Sequence, residues 1–212
     1  MQAIDALLNR DIEKRDEAWE LELLKALPAA PVRVLTPDPQ EGPDHWPYLM
    51  VSTGEGADDS FANVAGWLST RGIGCVINPE KPTPDYVLTY GMIWNYRERG
   101  EFLTQGSQGA AGRFEFKNGQ ELMTGVPTEA YFPAYARKIV KQFLADQGVF
   151  TPKVLMVSVD KTNYDLCFSI ESMKSPPPLE HANIAEALSW FFPAHYSIAL
   201  VSEKVVAGFS PI

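Results

Sequence analysis

Three histidines could act as acids, bases or metal ligands: His45, His181 and His195. His45 follows Asp44 and precedes Trp46, between Pro43 and Pro47. A histidine beside a carboxylate can serve as a general acid or base. Neighbours along a chain usually point apart, so a surface loop is the plainer reading of this pair. No histidine has another at i+2 or i+4, and no Cys-x-x-Cys occurs, so zinc has no ligand spacing to use. Glu55, Asp58 and Asp59 gather oxygens but lack the alternating spacing of a calcium loop. Helix capping accounts for them better. Gly54-x-Gly56 has the setting of a dinucleotide loop, yet Asp59 stands where its third glycine belongs. Carboxylates around that turn would repel a pyrophosphate. Gly106-Ser107-Gln108-Gly109-Ala110-Ala111-Gly112 lacks a P-loop ending, and Ser107 does not fit Gly-x-Ser-x-Gly. The sequence therefore assigns no catalytic residue, no metal ligand and no cofactor, and the reading leans away from an enzyme.

Aromatics give the stronger signal. Tyr86, Tyr90, Trp94 and Tyr96 crowd one stretch, followed by Arg97 and Arg99. Aromatic residues and arginine are enriched at interface hot spots. The candidate interaction residues are Tyr90, Trp94, Tyr96, Arg97 and Arg99. Large aromatics also fill cores. If the stretch is a surface, Trp94→Ala with Arg97→Ala spares stability and abolishes partner binding. If it is core, the pair costs much stability.

These residues need elements to hold them. Residues 1–27 read as helix, with Ile4, Leu7, Leu8, Ile12, Trp19, Leu23 and Leu27 recurring at threes and fours and room for a break at 13–16. Runs at 32–36 and 48–53 read as strands. A helix follows, capped by Asp58, Asp59 or Ser60, with Phe61, Val64, Trp67 and Leu68 as its apolar stripe. Residues 73–77 and 86–90 are strand-like. A short helix over 91–99 is favoured over a longer strand because glycines bracket it. Residues 101–130 read as a glycine-rich connection, with a β-like run at 113–117. The clearest helix is 133–147, where Ala136, Ile139, Val140, Phe143 and Leu144 line one face. Strands at 153–159 and 164–171 join around Asp160-Lys161-Thr162-Asn163, with Asp and Asn able to take left-handed positions. A helix follows Pro176-Pro177-Pro178, and 196–201 is the last strand.

The order helix, strand, strand, helix, strand occurs twice. Ala62-Asn63-Val64-Ala65-Gly66-Trp67-Leu68-Ser69 aligns with Ala182-Asn183-Ile184-Ala185-Glu186-Ala187-Leu188-Ser189, five of eight identical. Glu80-Lys81 and Glu203-Lys204 follow the next strand in each half. The expectation is an α+β protein of two tandem α-β-β-α-β units, each a small mixed sheet with helices on one face. The boundaries are 1–100 for the first unit, 101–130 for the connection and 131–212 for the second.

The second unit also carries Pro133-Ala134-Tyr135-Ala136-Arg137, Val154-Leu155-Met156-Val157-Ser158-Val159, Tyr164-Asp165-Leu166-Cys167-Phe168 and Phe192-Pro193-Ala194-His195-Tyr196. With these, residues 132–202 resemble the C-terminal domain of the bacterial enhanced serine-sensitivity protein family, SseB. The resemblance covers a third of the chain and implies a bacterial cytoplasmic protein with a non-catalytic α/β module. It transfers no catalytic residue.

The chain has 212 residues, 18 Lys plus Arg against 27 Asp plus Glu, and a net charge of -9. Six acidic residues and no Lys or Arg lie between Arg33 and Arg71. That balance argues against nucleic acid and suits a basic partner. No run of about 18 apolar residues is present to span a membrane. The start lacks the basic region and apolar run of a signal peptide. Cys75 and Cys167 sit in apolar strands, as buried thiols of a reducing compartment do. The resulting expectation is a non-catalytic protein-protein interaction or regulatory protein of the bacterial cytoplasm. A homodimer through residues 1–27 is one variant. The alternative class is a small-molecule-binding protein or enzyme, with a site in the cleft between the units near His45, Tyr90 or Arg97.

Overall fold

The computed structural model describes residues 3–54, 56–104 and 121–212. The fold is α+β, and the chain divides into two compact units, Met1–Thr104 and Gln105–Ile212. The glycine loop at 106–112 and the run at 113–117 lie outside the described residues.

The first unit opens with α1 (Ala3–Leu8) and α2 (Glu17–Ala26), separated by a single-turn 3-10 helix at Ile12–Lys14. The break falls where the charges crowd. Asp16 caps α2, its carboxylate accepting from the Trp19 amide at 2.9 Å. Then come β1 (Pro31–Val34), β2 (Gln40–Glu41), β3 (Pro47–Ser52), β4 (Asp59–Ser60), α3 (Phe61–Leu68), β5 (Gly74–Ile77), β6 (Tyr86–Leu88) and α4 (Tyr90–Arg99). The sheet order is β4-β1-β3-β5-β6, with β2 also paired to β3. β1 and β3 are antiparallel, whereas β3 and β5 are parallel across the α3 crossover. Ile4, Leu8, Trp19, Leu23 and Leu27 join Val32, Val51, Phe61, Leu68 and Ile77 in one core. Most of the apolar stripe of the N-terminal helices is thus spent within its own unit, whereas Ile12 is exposed.

Register sets a tight point in this sheet. Tyr48 pairs with Gly74. A Cβ on Gly74 would lie 2.6 Å from the Tyr48 ring and 2.7 Å from the Leu88 carbonyl oxygen. Gly74→Ala is therefore expected to cost about 1–3 kcal/mol, as overpacked sites do, read as a lowered melting temperature.

In the second unit the elements are β7 (Met123–Gly125), α5 (Ala134–Asp146), β8 (Lys153–Ser158), β9 (Asp165–Ser169), α6 (His181–Ser189), β10 (Ser197–Val201) and β11 (Ser210–Pro211). The order is β10-β9-β8-β11, with β7 also on β8. β8 and β9 are antiparallel, and β9 and β10 are parallel. β8, β9 and β10 thus repeat the sense of β1, β3 and β5. Ala136, Val140 and Leu144 turn α5 inward, and Phe132 meets Phe192 at 5.2 Å between ring centroids. In the β8–β9 turn the left-handed residue is Lys161 (φ 67), not an Asp or Asn. Asp160 holds the turn instead, its carboxylate accepting from the Thr162 and Asn163 amides.

Candidate functional site

The structure separates the residues of the aromatic stretch. Thr89 caps α4 through its hydroxyl, and Gly100 closes it at φ 76. On that helix Tyr90 and Trp94 stand four residues apart with Ile93 and face inward; Tyr90 is 0% exposed and Trp94 1%. The Tyr90 hydroxyl donates to the Ser69 carbonyl at 2.6 Å, and burial pushes its pKa up. Tyr96 is half-buried and stacks on Phe102 at 4.4 Å. Arg97 and Arg99 are exposed, and Arg97 donates to the Ser69 hydroxyl at 2.9 Å. Tyr90 and Trp94 are therefore core residues and are withdrawn from the interaction set. Trp94→Ala with Arg97→Ala is expected to cost about 3–5 kcal/mol, the cost of emptying a buried tryptophan site, in a denaturant melt.

The other singled-out groups lie apart. His45 sits on the β2–β3 hairpin at φ 67, its side chain 85% exposed. Its Nδ1 pairs with the Glu41 carboxylate at 2.5 Å, not with Asp44. Asp44 turns the other way and accepts from the Tyr48 hydroxyl. Cys75 and Cys167 are free and buried, and burial raises both thiols, Cys167 to about 12. Both stay protonated and act as packing. Among the described residues, no group of three or more His, Cys, Asp or Glu is placed to hold a metal ion.

A polar cluster closes the C-terminal ends of β3 and β5. The Ser52 hydroxyl donates to Glu80 at 3.1 Å. Buried Asn78, at φ 53, donates to Asp85 at 2.6 Å and accepts from the Thr53 amide at 2.9 Å. Asp85, its side chain 2% exposed, also takes Arg15 at 2.9 Å and Lys81 at 2.5 Å. This cluster ties the N-terminal helices to the sheet. In the second unit Ser169 donates to Glu203 at 2.6 Å, from the same place at the end of the middle strand.

An open feature lies between α3 and β1. A groove of about 370 Å³ is lined by Val34, Pro37, Leu49, Asp59, Asn63, Val64 and Trp67. It lies where the cover over one sheet face runs out. Val32, Val34, Leu49 and Val51 share one face by the period of two, with Val34 opposite Val51. Val32 and Val51 are fully buried in the core that α3 shares with the N-terminal helices, whereas Val34 is 40% exposed. Trp67 is 42% exposed and forms the far wall. It was expected in the α3 stripe, but Phe61, Val64, Ala65 and Leu68 fill that stripe at i, i+3, i+4 and i+7, which puts Trp67 on the flank. Its departure from that spacing was the one sequence signal for this site. Arg71 lies over the Trp67 ring at 4.0 Å from its centroid. Asp59 accepts from the Ser60 amide and from Asn63, bonds that orient its carboxylate without neutralising it. No helix among the described residues is long and apolar enough to cross a membrane. Neither protein-family models, nor curated proteins, nor solved structures offer a match to this chain.

Proposed function

We propose that this is a non-catalytic protein-interaction protein that docks a segment of a partner in the groove between α3 and β1. The observation behind it is an apolar groove with Val34 and Trp67 exposed and the Asp59 carboxylate in its lining. Exposed tryptophan in a concave apolar setting is the usual anchor of a recognition surface. Charge complementarity then selects the occupant: an apolar side chain for the groove, flanked by lysine or arginine. A reducing, cytoplasmic setting fits the two free buried thiols.

We read the two units as copies of one α-β-β-α-β module. Its supports are the shared strand order, the Ser52–Glu80 and Ser169–Glu203 pairs, and the matching back-bonds of Ser69 to Gly66 and Ser189 to Glu186. Kinship of residues 132–202 with the SseB C-terminal domain is part of the same proposal and rests on the motifs quoted above.

The test is a photo-crosslinking amino acid at position 37, in the groove lining with Trp67 left in place, used in a lysate of the source cells. A segment with an apolar residue between basic ones should be captured there, and not from position 205, where Val205 is 63% exposed. Equal capture from both positions, or capture of acidic segments, overturns the reading.

A further inference from the structure

Val34 and Leu35 are consecutive, so they face opposite sides of the sheet, yet both are exposed, at 40% and 36%. A lid on one face would cover only one of them. A strand laid along the edge of β1 would shield both.

The edge has the backbone groups for it. The Leu35 amide donates to the Met50 carbonyl at 2.9 Å, and the Val51 carbonyl is taken by the Asn78 amide at 2.8 Å. By antiparallel alternation the Val34 N–H and C=O point to the outer edge. On that side β4 pairs with Pro31 and Val32. Among the described residues no strand pairs with β1 beyond Val32 there.

The second unit shows the same position filled. Arg33-Val34-Leu35 and Lys153-Val154-Leu155 share a register: Arg33 lies opposite Ser52, and Val154 lies opposite Phe168, the residue before Ser169. In that unit β11 pairs Ser210 with Val154 and Pro211 with Lys153. Val154 is 0% exposed and Leu155 1%, and Phe209 packs against the cluster that holds Leu155. The chain's own last strand therefore covers in one unit what stands open in the other.

We infer that β1 takes up an extended segment of a partner protein by strand addition beside Val34, with one side chain in the groove against Trp67 and the next over Leu35. Main-chain bonds hold such a segment, and alternate side chains give it specificity. The exposed carboxylates of Asp38, Asp58 and Asp59 favour lysine or arginine at its ends. The inference rests on the docking reading above and specifies its geometry.

The probe is a synthetic peptide with Val-Phe-Val between lysine pairs, titrated into the full chain by calorimetry. Binding is expected, weakened about tenfold or more by glutamates in place of the lysines, by N-methylation of the amides facing β1, and by Trp67→Ala. Val34→Pro removes the outward N–H and should weaken binding similarly with little change in melting temperature. If the N-methylated peptide binds like its parent while Trp67→Ala still weakens both, strand addition is wrong and groove docking stands. A parent peptide that does not bind, or that binds the Trp67→Ala chain equally well, overturns both.

Discussion

Asp85→Ala is expected to lower the stability of the first unit by about 3 kcal/mol, the low end for removing one member of a buried ion pair. The side chain is 2% exposed and holds Arg15, Lys81 and Asn78 together. Its removal leaves the Arg15 guanidinium, 13% exposed, without its counter-charge. The loss stays at the low end because Arg15 keeps the carbonyls of Leu8, Arg10 and residue 85 as acceptors, and Lys81 keeps water. A thermal melt should fall by more than about 10 °C for a unit of this size. Burial alone would raise the Asp85 carboxyl, but hydrogen bonds from Asn78, Lys81 and Arg15 outweigh it, and its pKa is lowered. A carboxyl lowered on folding contributes stability above its unfolded pKa, about 3.9, and loses it as pH falls through the folded value. Wild type should thus lose its advantage over Asp85→Asn only below about pH 4. An advantage that vanished nearer neutrality would show that this carboxylate is not what the network stabilises.

Trp67→Ala should have the opposite profile. Partner binding is expected to fall by about 2 kcal/mol or more, roughly 30-fold, which is hot-spot behaviour. Stability should change by about 1–2 kcal/mol, from the covered part of the ring and the Arg71 contact, well below the cost at Trp94. Trp67 is 42% exposed, so less packing is lost with it than with a fully buried tryptophan. Set beside Trp94→Ala, the contrast separates a surface tryptophan from a core one in the same unit. A large stability loss at Trp67 would move it into the core and remove the groove's far wall from any recognition role.

Local pattern explains why some of this was legible in the residues. α5 follows from Ala136, Val140 and Leu144 at four-residue spacing, and the end of α4 from its closing Gly100; the bracketing glycines misplace its start, because Thr89 caps it and Gly91 lies inside the helix rather than before it. The strands β3, β5, β8 and β9 follow from short apolar runs. β4 and β11 are two residues each and carry no periodicity, so only tertiary pairing defines them. The site was hidden for the same reason. Val34 shares its pattern with fully buried Val32, and the reach of α3 across the sheet is not written in either segment. The aromatic stretch misled because Tyr90 and Trp94 combine hot-spot chemistry with a spacing that serves a core equally well.

Amide hydrogen exchange on the full chain, with and without the lysine-flanked peptide, tests the docking site most directly. Slowed exchange at residues 33–36, with smaller effects along α3, is the predicted result. Protection confined to other segments, or none at saturating peptide, would contradict it.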